Sequence, residues 1–323
     1  MNDFYNLKLS VNKAQSKKRL DKTLANLIQK ISRSQVKILI ENGNVKKNNE
    51  IINDSSYIVK EGDTFEVSMF QSNPKKFYPE KIKLDIVYED EDLIVLNKEA
   101  GMVTHPAPGN ENGTLVHALL YHTKNKLSKI NNDSRPGIVH RLDKFTSGLM
   151  VAAKNNYTHM NLAEQFKLHT ITRKYNALVW GVPNNQVIEG YIERNKINRK
   201  KMSLNKNEKG KFSKTKIILK KNFNLASLIE CSLFTGRTHQ IRLHLTSINC
   251  PLVGDSMYGK NKVNQFGKNK DTFNKFLILK NFSRQALHAT HLGFNHPKNK
   301  KPMEFNSNLP KDINNLLDLL VKY

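Results

Sequence analysis

Leu149-Met150-Val151-Ala152-Ala153 is apolar at every position and follows Gly148 directly. Such a run reads as a buried strand, so the chain must build a sheet around it. Upstream lies His140-Arg141-Leu142-Asp143-Lys144-Phe145-Thr146-Ser147, and before that Gly137-Ile138-Val139, which reads as the end of another strand. Asp143 is therefore expected on a turn between two rigid strands, a common place for catalytic groups. Taken alone, the same residues fit a plain turn with an Asp cap and a solvated arginine.

The surrounding pattern fixes the fold class. Strands are expected at 82–84, 86–88, 93–98, 170–180, 216–219 and 226–233. Helices are expected after Thr114, over 156–167 with Met160, Ala163 and Phe166 on one side, after Thr238 as cap, and over 312–322. Strands outnumber helices and do not alternate with them, which predicts an α+β domain with a mainly antiparallel mixed sheet and flanking helices. With 323 residues, two domains are expected.

Residues 1–70 form the first domain, with its core at 17–67. Leu20, Leu24 and Leu27 have helical spacing. Ser32-Arg33-Ser34-Gln35 offers an N-cap to a second helix that Asn42-Gly43 stops, and β segments follow at Val45 and Phe65-Glu66-Val67. Through Lys18-Arg19-Leu20-Asp21, Ser32 to Gln35, Ile40 to Val45 and Lys60 to Asp63, this module resembles S4-type RNA-binding domains. The resemblance implies RNA phosphate contacts by Arg33 and Lys37, with Lys46 and Lys47 beside them. Residues 71–81, with Pro74 and Pro79, read as a linker, and the larger domain spans 82–323.

Composition agrees with an RNA partner. Lys and Arg number 53 against 28 Asp and Glu, a formal charge of +25, which favours a polyanion. Part of this excess fits a genome biased toward A and T, since Asn and Ile are abundant too. The two cysteines, Cys231 and Cys250, form no CxxC pair, and lone thiols fit a reducing compartment. No run is long and apolar enough to cross a membrane, and the first residues lack a signal sequence. A cytoplasmic monomer is expected. His105 with His117, and His239 with His244, lack metal-ligand spacing, so no metal is expected.

Several motifs then stand in order: His105-Pro106-Ala107-Pro108-Gly109, Arg135 to Asp143, Thr146-Ser147-Gly148-Leu149, Thr172-Arg173-Lys174-Tyr175, Thr235-Gly236-Arg237-Thr238-His239-Gln240-Ile241-Arg242, and Pro251 to Asp255 with Tyr258-Gly259. Together they resemble the RluA family of pseudouridine synthases, specifically RluD-like members with an S4 domain. One departure is Glu99, where the family usually carries proline. The resemblance implies isomerisation of uridine in RNA, with large-subunit (23S) ribosomal RNA as the expected target. It implies base flipping, no cofactor, and Asp143 as the essential carboxylate. Arg242 is its expected cation, with Arg237 the alternative. Tyr175 is expected to handle the proton at C5 or stack on the uracil. Arg141 would hold the flipped state and His140 would order the turn. Arg199 and Lys200, in a basic loop, would face RNA, as would Arg237. The stretch 205–214 reads as flexible, and 261–275 is a polar insertion that the motifs do not explain. The competing class is a catalytically silent RNA-binding assembly factor, which would not need Asp143, Tyr175 and Arg242 together.

Overall fold

The computed structural model describes residues 4–28, 31–70, 77–130, 135–259 and 270–322. The chain divides into two compact units, Met1–Lys76 and Phe77–Tyr323.

In the first unit, β1 (Phe4–Ser10) leads to α1 (Leu20–Ile28) and α2 (Arg33–Glu41). Then come β2 (Val45–Lys47), β3 (Glu50–Ile51) and β4 (Thr64–Phe70). Ser32 caps α2 through a reciprocal box with Gln35: the Gln35 N–H donates to Ser32 Oγ, and the Ser32 N–H donates to Gln35 Oε1. That box satisfies two of the helix's orphan donors. Leu20, Leu24, Val36, Ile40, Val45, Phe65 and Val67 make a separate core. The strand β1, ahead of the expected core, was not foreseen. It pairs antiparallel with β4 along its whole length and closes a sheet ordered β1-β4-β2-β3.

The second unit runs β5 (Asp85–Glu89), β6 (Leu93–Lys98), α3 (Leu115–His122), β7 (Ser147–Ala153), α4 (Asn156–Lys167) and β8 (Thr172–Trp180). It continues β9 (Gln186–Arg194), β10 (Met202–Asn205), β11 (Lys211–Asn222), β12 (Ala226–Leu233) and α5 (Gln240–Ser247). It closes with α6 (Lys270–Lys280), β13 (Leu287–Asn295), β14 (Pro302–Asn306) and α7 (Lys311–Lys322). One ten-stranded sheet holds it together, ordered β10-β9-β11-β12-β8-β13-β7-β6-β5 with β14 on β13. Pairing is antiparallel throughout except for β13 with β7. The expected α+β class, with its mainly antiparallel mixed sheet, is the class observed.

The apolar run of β7 follows from burial on both faces. Met150 and Ala152 join Ile94, Leu96, Leu119 and Leu245 on one side. Leu149, Val151 and Ala153 join Leu93, Val95 and Leu162 on the other. Each such aliphatic side chain contributes roughly 1.5–3 kcal/mol of transfer free energy.

Several local expectations are corrected. Residues 82–84 are not strand; β5 starts at Asp85. Gly137-Ile138-Val139 is not a strand end; it makes a single bridge, Ile138 to Ala152. On α4 the buried side is Thr158, His159 and Leu162. Met160 is 57% exposed, and Ala163 is also exposed. Residues 211–214, read as flexible, begin β11. The helix carrying Arg242 is capped at His239, which takes a left-handed φ of 57°, and not at Thr238. Of the stretch read as a polar insertion, 261–269 lies outside the described residues, and 270 onward opens α6. Most of the stretch read as linker, 71–76, also lies outside them.

A row of backbone crosses the centre of this sheet. Tyr175 on β8 is paired with Ala289 on β13, and Ala289 with Gly148 on β7. Gly148 has φ 117°, and a β-carbon there would lie 2.3 Å from the Ala289 carbonyl oxygen. Both the conformation and the space require glycine. Gly148→Ala is expected to cost about 3–5 kcal/mol, lowering the thermal midpoint by about 10 °C in a calorimetric scan. An unshifted midpoint would contradict that close approach.

Candidate active site

Asp143 lies in the loop before β7, and that loop is pinned from several sides. The buried Thr104 hydroxyl donates to the Leu142 carbonyl at 3.1 Å. The Thr146 N–H donates to the Asp143 carbonyl. Gln285 Nε2 donates to Thr146 Oγ1 at 2.8 Å, and Arg284 Nη1 donates to the Phe145 carbonyl at 3.1 Å. Ser147 Oγ pairs with His288 Nδ1 at 2.9 Å. Thr146 and Ser147 are buried in these contacts. Exposed Lys144 donates from Nζ to Asn110.

Lys98 was not foreseen as part of this support. Its side chain ends β6 fully buried, with Nζ donating to the carbonyls of Glu99 at 2.7 Å, Met102 at 2.9 Å and Lys144 at 3.3 Å. Burial lowers its ammonium to about 7, against the pull of the Asp143 charge. The signal was a lysine closing an otherwise apolar run.

Arg242 reaches the acid from α5. Its Nη1 donates to Asp143 Oδ2 at 3.0 Å. Its Nε and Nη2 grip Asp255 bidentately at 2.7 and 2.9 Å. Burial alone would lower the guanidinium, but the Asp255 and Asp143 carboxylates outweigh it and hold Arg242 above its ordinary value. Burial likewise works against the Asp255 charge, yet Arg242 and the Tyr258 and Met257 N–H groups hold that carboxyl below its usual range. The motif around Asp255 entered the sequence reading only as part of the resemblance, with no role; in the structure it fixes the arginine.

A second approach to Asp143 comes from His239. The Met202 N–H donates to Tyr258 Oη at 2.8 Å, and Tyr258 Oη meets His239 Nδ1 at 2.8 Å. His239 Nε2 lies 3.8 Å from Asp143 Oδ1, within Coulomb reach but too long for a hydrogen bond. The Tyr258 ring also lies 4.9 Å from the Arg242 guanidinium carbon.

Asp143, His239 and Arg242 open onto a cleft of about 500 Å³ that also takes in Tyr175, Arg141, Arg237 and Leu287. Tyr175 is 7% exposed, and burial raises its phenol, so it faces the cleft as a neutral hydroxyl at neutral pH. Arg141 is exposed at the rim. His140 stacks on Phe166 at 4.6 Å, and its Nε2 accepts the Val151 N–H at 3.0 Å. Burial, and then Arg173, hold that imidazole down at about 3. Arg237 lines the same cleft and donates from Nε to the Phe212 carbonyl at 2.9 Å. Asp143, Tyr175, Arg242, Arg141, His140 and Arg237 are thus brought together. Arg199 and Lys200 sit exposed in the turn between β9 and β10, outside the cleft lining.

In the first unit, the expected phosphate contacts are partly engaged within the protein. Arg33 donates to Asp21 at 2.9 Å, Lys37 pairs with Glu41, and Lys47 pairs with Asp63 at 2.8 Å. Lys46 is exposed on β2. Among the described residues, one group has donor spacing suited to a metal: Asp90, Asp92 and His296. Its oxygens are already served by Tyr88, Asn155 and backbone N–H groups.

Residues 92–247 match the family model described as RNA pseudouridylate synthase, and residues 18–65 match the S4 domain. Ribosomal large subunit pseudouridine synthase D of Zymomonas mobilis is 44% identical over 305 residues, covering 94% of each chain. The uncharacterized RNA pseudouridine synthase YlyB of Bacillus subtilis is 39% identical, covering 97% of this chain and 98% of its own. The solved structure of human RNA pseudouridylate synthase domain containing 4 has a TM-score of 0.53 at 24% identity, covering 73% of this chain and 93% of its own. That last likeness is one of fold.

Proposed function

On the premise that this chain belongs to the RNA pseudouridine synthase family, we propose that it isomerises uridine to pseudouridine in large-subunit ribosomal RNA. The observation that carries the reading is Asp143 held at the cleft by Arg242, which is itself locked onto Asp255. The reaction breaks N1–C1′ and forms C5–C1′ with no net redox change. It needs an ionised carboxylate beside a base that has left its stack, and unstacking costs a few kcal/mol. We assign the carboxylate to Asp143 and its counter-cation to Arg242. Tyr175 supplies a neutral ring against the uracil, and its hydroxyl is the protein group we assign to the proton leaving C5. Arg141, at the rim, holds the space the base vacates. His140 fixes the loop through the Val151 N–H, and Arg237 approaches the RNA backbone. The S4 unit adds phosphate contacts through Lys46, Arg33 and Lys37, and the β9–β10 turn adds Arg199 and Lys200. The ribosomal target rests on relatives named for the large subunit. No helix among the described residues is long and apolar enough to cross a membrane, and we place the enzyme as a monomer in the cytoplasm, where ribosomal RNA is made.

The test is tritium release from C5-labelled large-subunit RNA by the purified protein. It is paired with chemical mapping of pseudouridines in that RNA from cells with and without the gene. Release together with the loss of mapped sites on deletion is expected. Release from transfer RNA alone would overturn the ribosomal assignment, and no release from either would overturn the activity.

A further inference from the structure

Three arginines of the catalytic unit are buried: Arg173, Arg242 and Arg284. Two of them are locked by carboxylate forks, Arg242 on Asp255 and Arg284 on Asp312 at 2.6 and 2.8 Å. Arg173, on β8 and two residues before Tyr175, is different. It is 8% exposed, and its buried Nε has no hydrogen-bond partner. No carboxylate of the described residues pairs with it. Its recorded contact is the ring of Phe166, 5.4 Å from the guanidinium carbon. A charge taken out of water without a partner is costly, and Arg173 lines the cleft that holds Asp143.

A second arginine lines the same wall. Arg237 and His169 line the cleft beside it. Burial lowers the Arg173 guanidinium; Tyr175 works against that, and Arg237 adds to it. His169 is depressed by burial and then by Arg237 and Arg173. Two arginines on one cavity wall, neither paired with a carboxylate of the described residues, suit an anion from outside. Space is also reserved for the guanidinium. A β-carbon on Gly236 would lie 2.5 Å from Arg173 Nη1. Gly236 is not among the glycines of positive φ, so clearance explains it better than backbone freedom does.

We propose that Arg173, with Arg237 beside it, is the binding site for a backbone phosphate adjoining the flipped uridine. The inference rests on the proposed RNA reading and adds a residue role to it. The planar fork of an arginine matches two phosphate oxygens. The ion pair that Arg173 lacks in the protein is then supplied by the substrate, and the phosphate anchors the nucleotide whose base lies over Tyr175.

The test uses the full-length protein and a stem-loop RNA that the wild type modifies, with affinity measured across a salt series. Arg173→Met should weaken binding about tenfold and make log K against log salt shallower by about 0.7–0.9, as for one lost phosphate contact. Its melting temperature should hold or rise, because an unpaired buried charge is gone. Arg173→Lys should keep the salt slope and lose part of the affinity. A neutral methylphosphonate placed in turn on each side of the target uridine should weaken wild type at one of the two linkages and leave Arg173→Met unchanged there. Unchanged affinity and slope in Arg173→Met, or tolerance by wild type of both neutral linkages, would overturn the proposal. So would a lower melting temperature with an unchanged slope, which marks a structural arginine. The linkage arm on wild type alone can still overturn the proposal if Arg173→Met folds poorly, and Arg173→Lys then carries the assignment to this residue. Tritium release by wild type on the unmodified RNA reports separately on the enzymatic reading.

Discussion

Asp143→Asn is expected to reduce tritium release by about 10³-fold or more while leaving RNA affinity near wild type. The amide matches the carboxylate in shape, and its oxygen can still accept from Arg242 Nη1, now at 3.0 Å from Asp143 Oδ2. Arg242 also keeps its two bonds to Asp255, so no buried charge is orphaned and the thermal midpoint should move little. What is lost is the negative charge beside the ribose and the basic or nucleophilic oxygen, a loss of the size associated with removing an essential catalytic group. Rates and anisotropy-based affinities measured on one RNA separate the two effects. A tenfold or smaller fall in rate would remove Asp143 from the chemistry, and a parallel fall in affinity would recast it as a binding residue.

Arg242→Met strikes both activity and stability. It leaves Asp255 buried and unpaired, and it strips Asp143 of its cation. Removing one member of a buried ion pair typically costs about 3–5 kcal/mol, and activity should fall by at least about 100-fold. Arg242→Lys restores charge but not the fork, and should recover only part of either. The acid response should also change sign. In wild type the Asp255 carboxyl lies below its ordinary value. Its contribution to stability is therefore full above the unfolded value of about 3.9 and is lost as pH falls through the folded value. Without Arg242, burial dominates and raises that carboxyl. The folded state then binds the proton more readily than the unfolded state, so stability increases as pH falls from 7 toward 4. Thermal midpoints across that range should be flat or falling for wild type and rising for Arg242→Met. Parallel profiles would mean that Asp255 is held by something other than Arg242.

Much of this architecture could be read from residues in sequence because the signals were local. The all-apolar run of β7, the Ser32 to Gln35 box and the Asn42-Gly43 stop each depend on a few adjacent side chains, and each folds as its pattern says. The site motifs were legible as a resemblance, and the structure brings Asp143 and Arg242 within hydrogen-bond distance. What stayed hidden depended on distant partners. The pairing of β1 with β4 has no local signature, since its strand face is defined only by the core it meets. On α4, Met160 and Ala163 had suitable spacing, but the sheet takes the side presented by Thr158 and Leu162. Thr238 has the chemistry of a helix cap, yet the chain turns at His239, whose ring is engaged by Tyr258. Asp255 read only as part of a motif, without a role, because nothing nearby in sequence shows the arginine it grips. Gly236 has no positive φ to mark it, and the neighbour that crowds it, the Arg173 side chain, is distant in sequence.

The place of β13 in the sheet has a consequence for how the enzyme is born. This strand lies between β7 and β8, yet it is made long after both. A ribosome that has delivered Asp143, Tyr175 and Arg242 has delivered a chain whose two half-sheets still lack the strand that joins them. Their edges stay open until residues 287–295 emerge and insert. Late long-range pairing of this kind slows folding and leaves strand edges exposed to wrong partners. It also means that a chain cut short before β13 carries Asp143, Tyr175 and Arg242 without His288, which holds Ser147, and without the row through Ala289 that sets Tyr175 opposite Gly148. The growing polypeptide should therefore be unable to isomerise uridine until its final strands are in place.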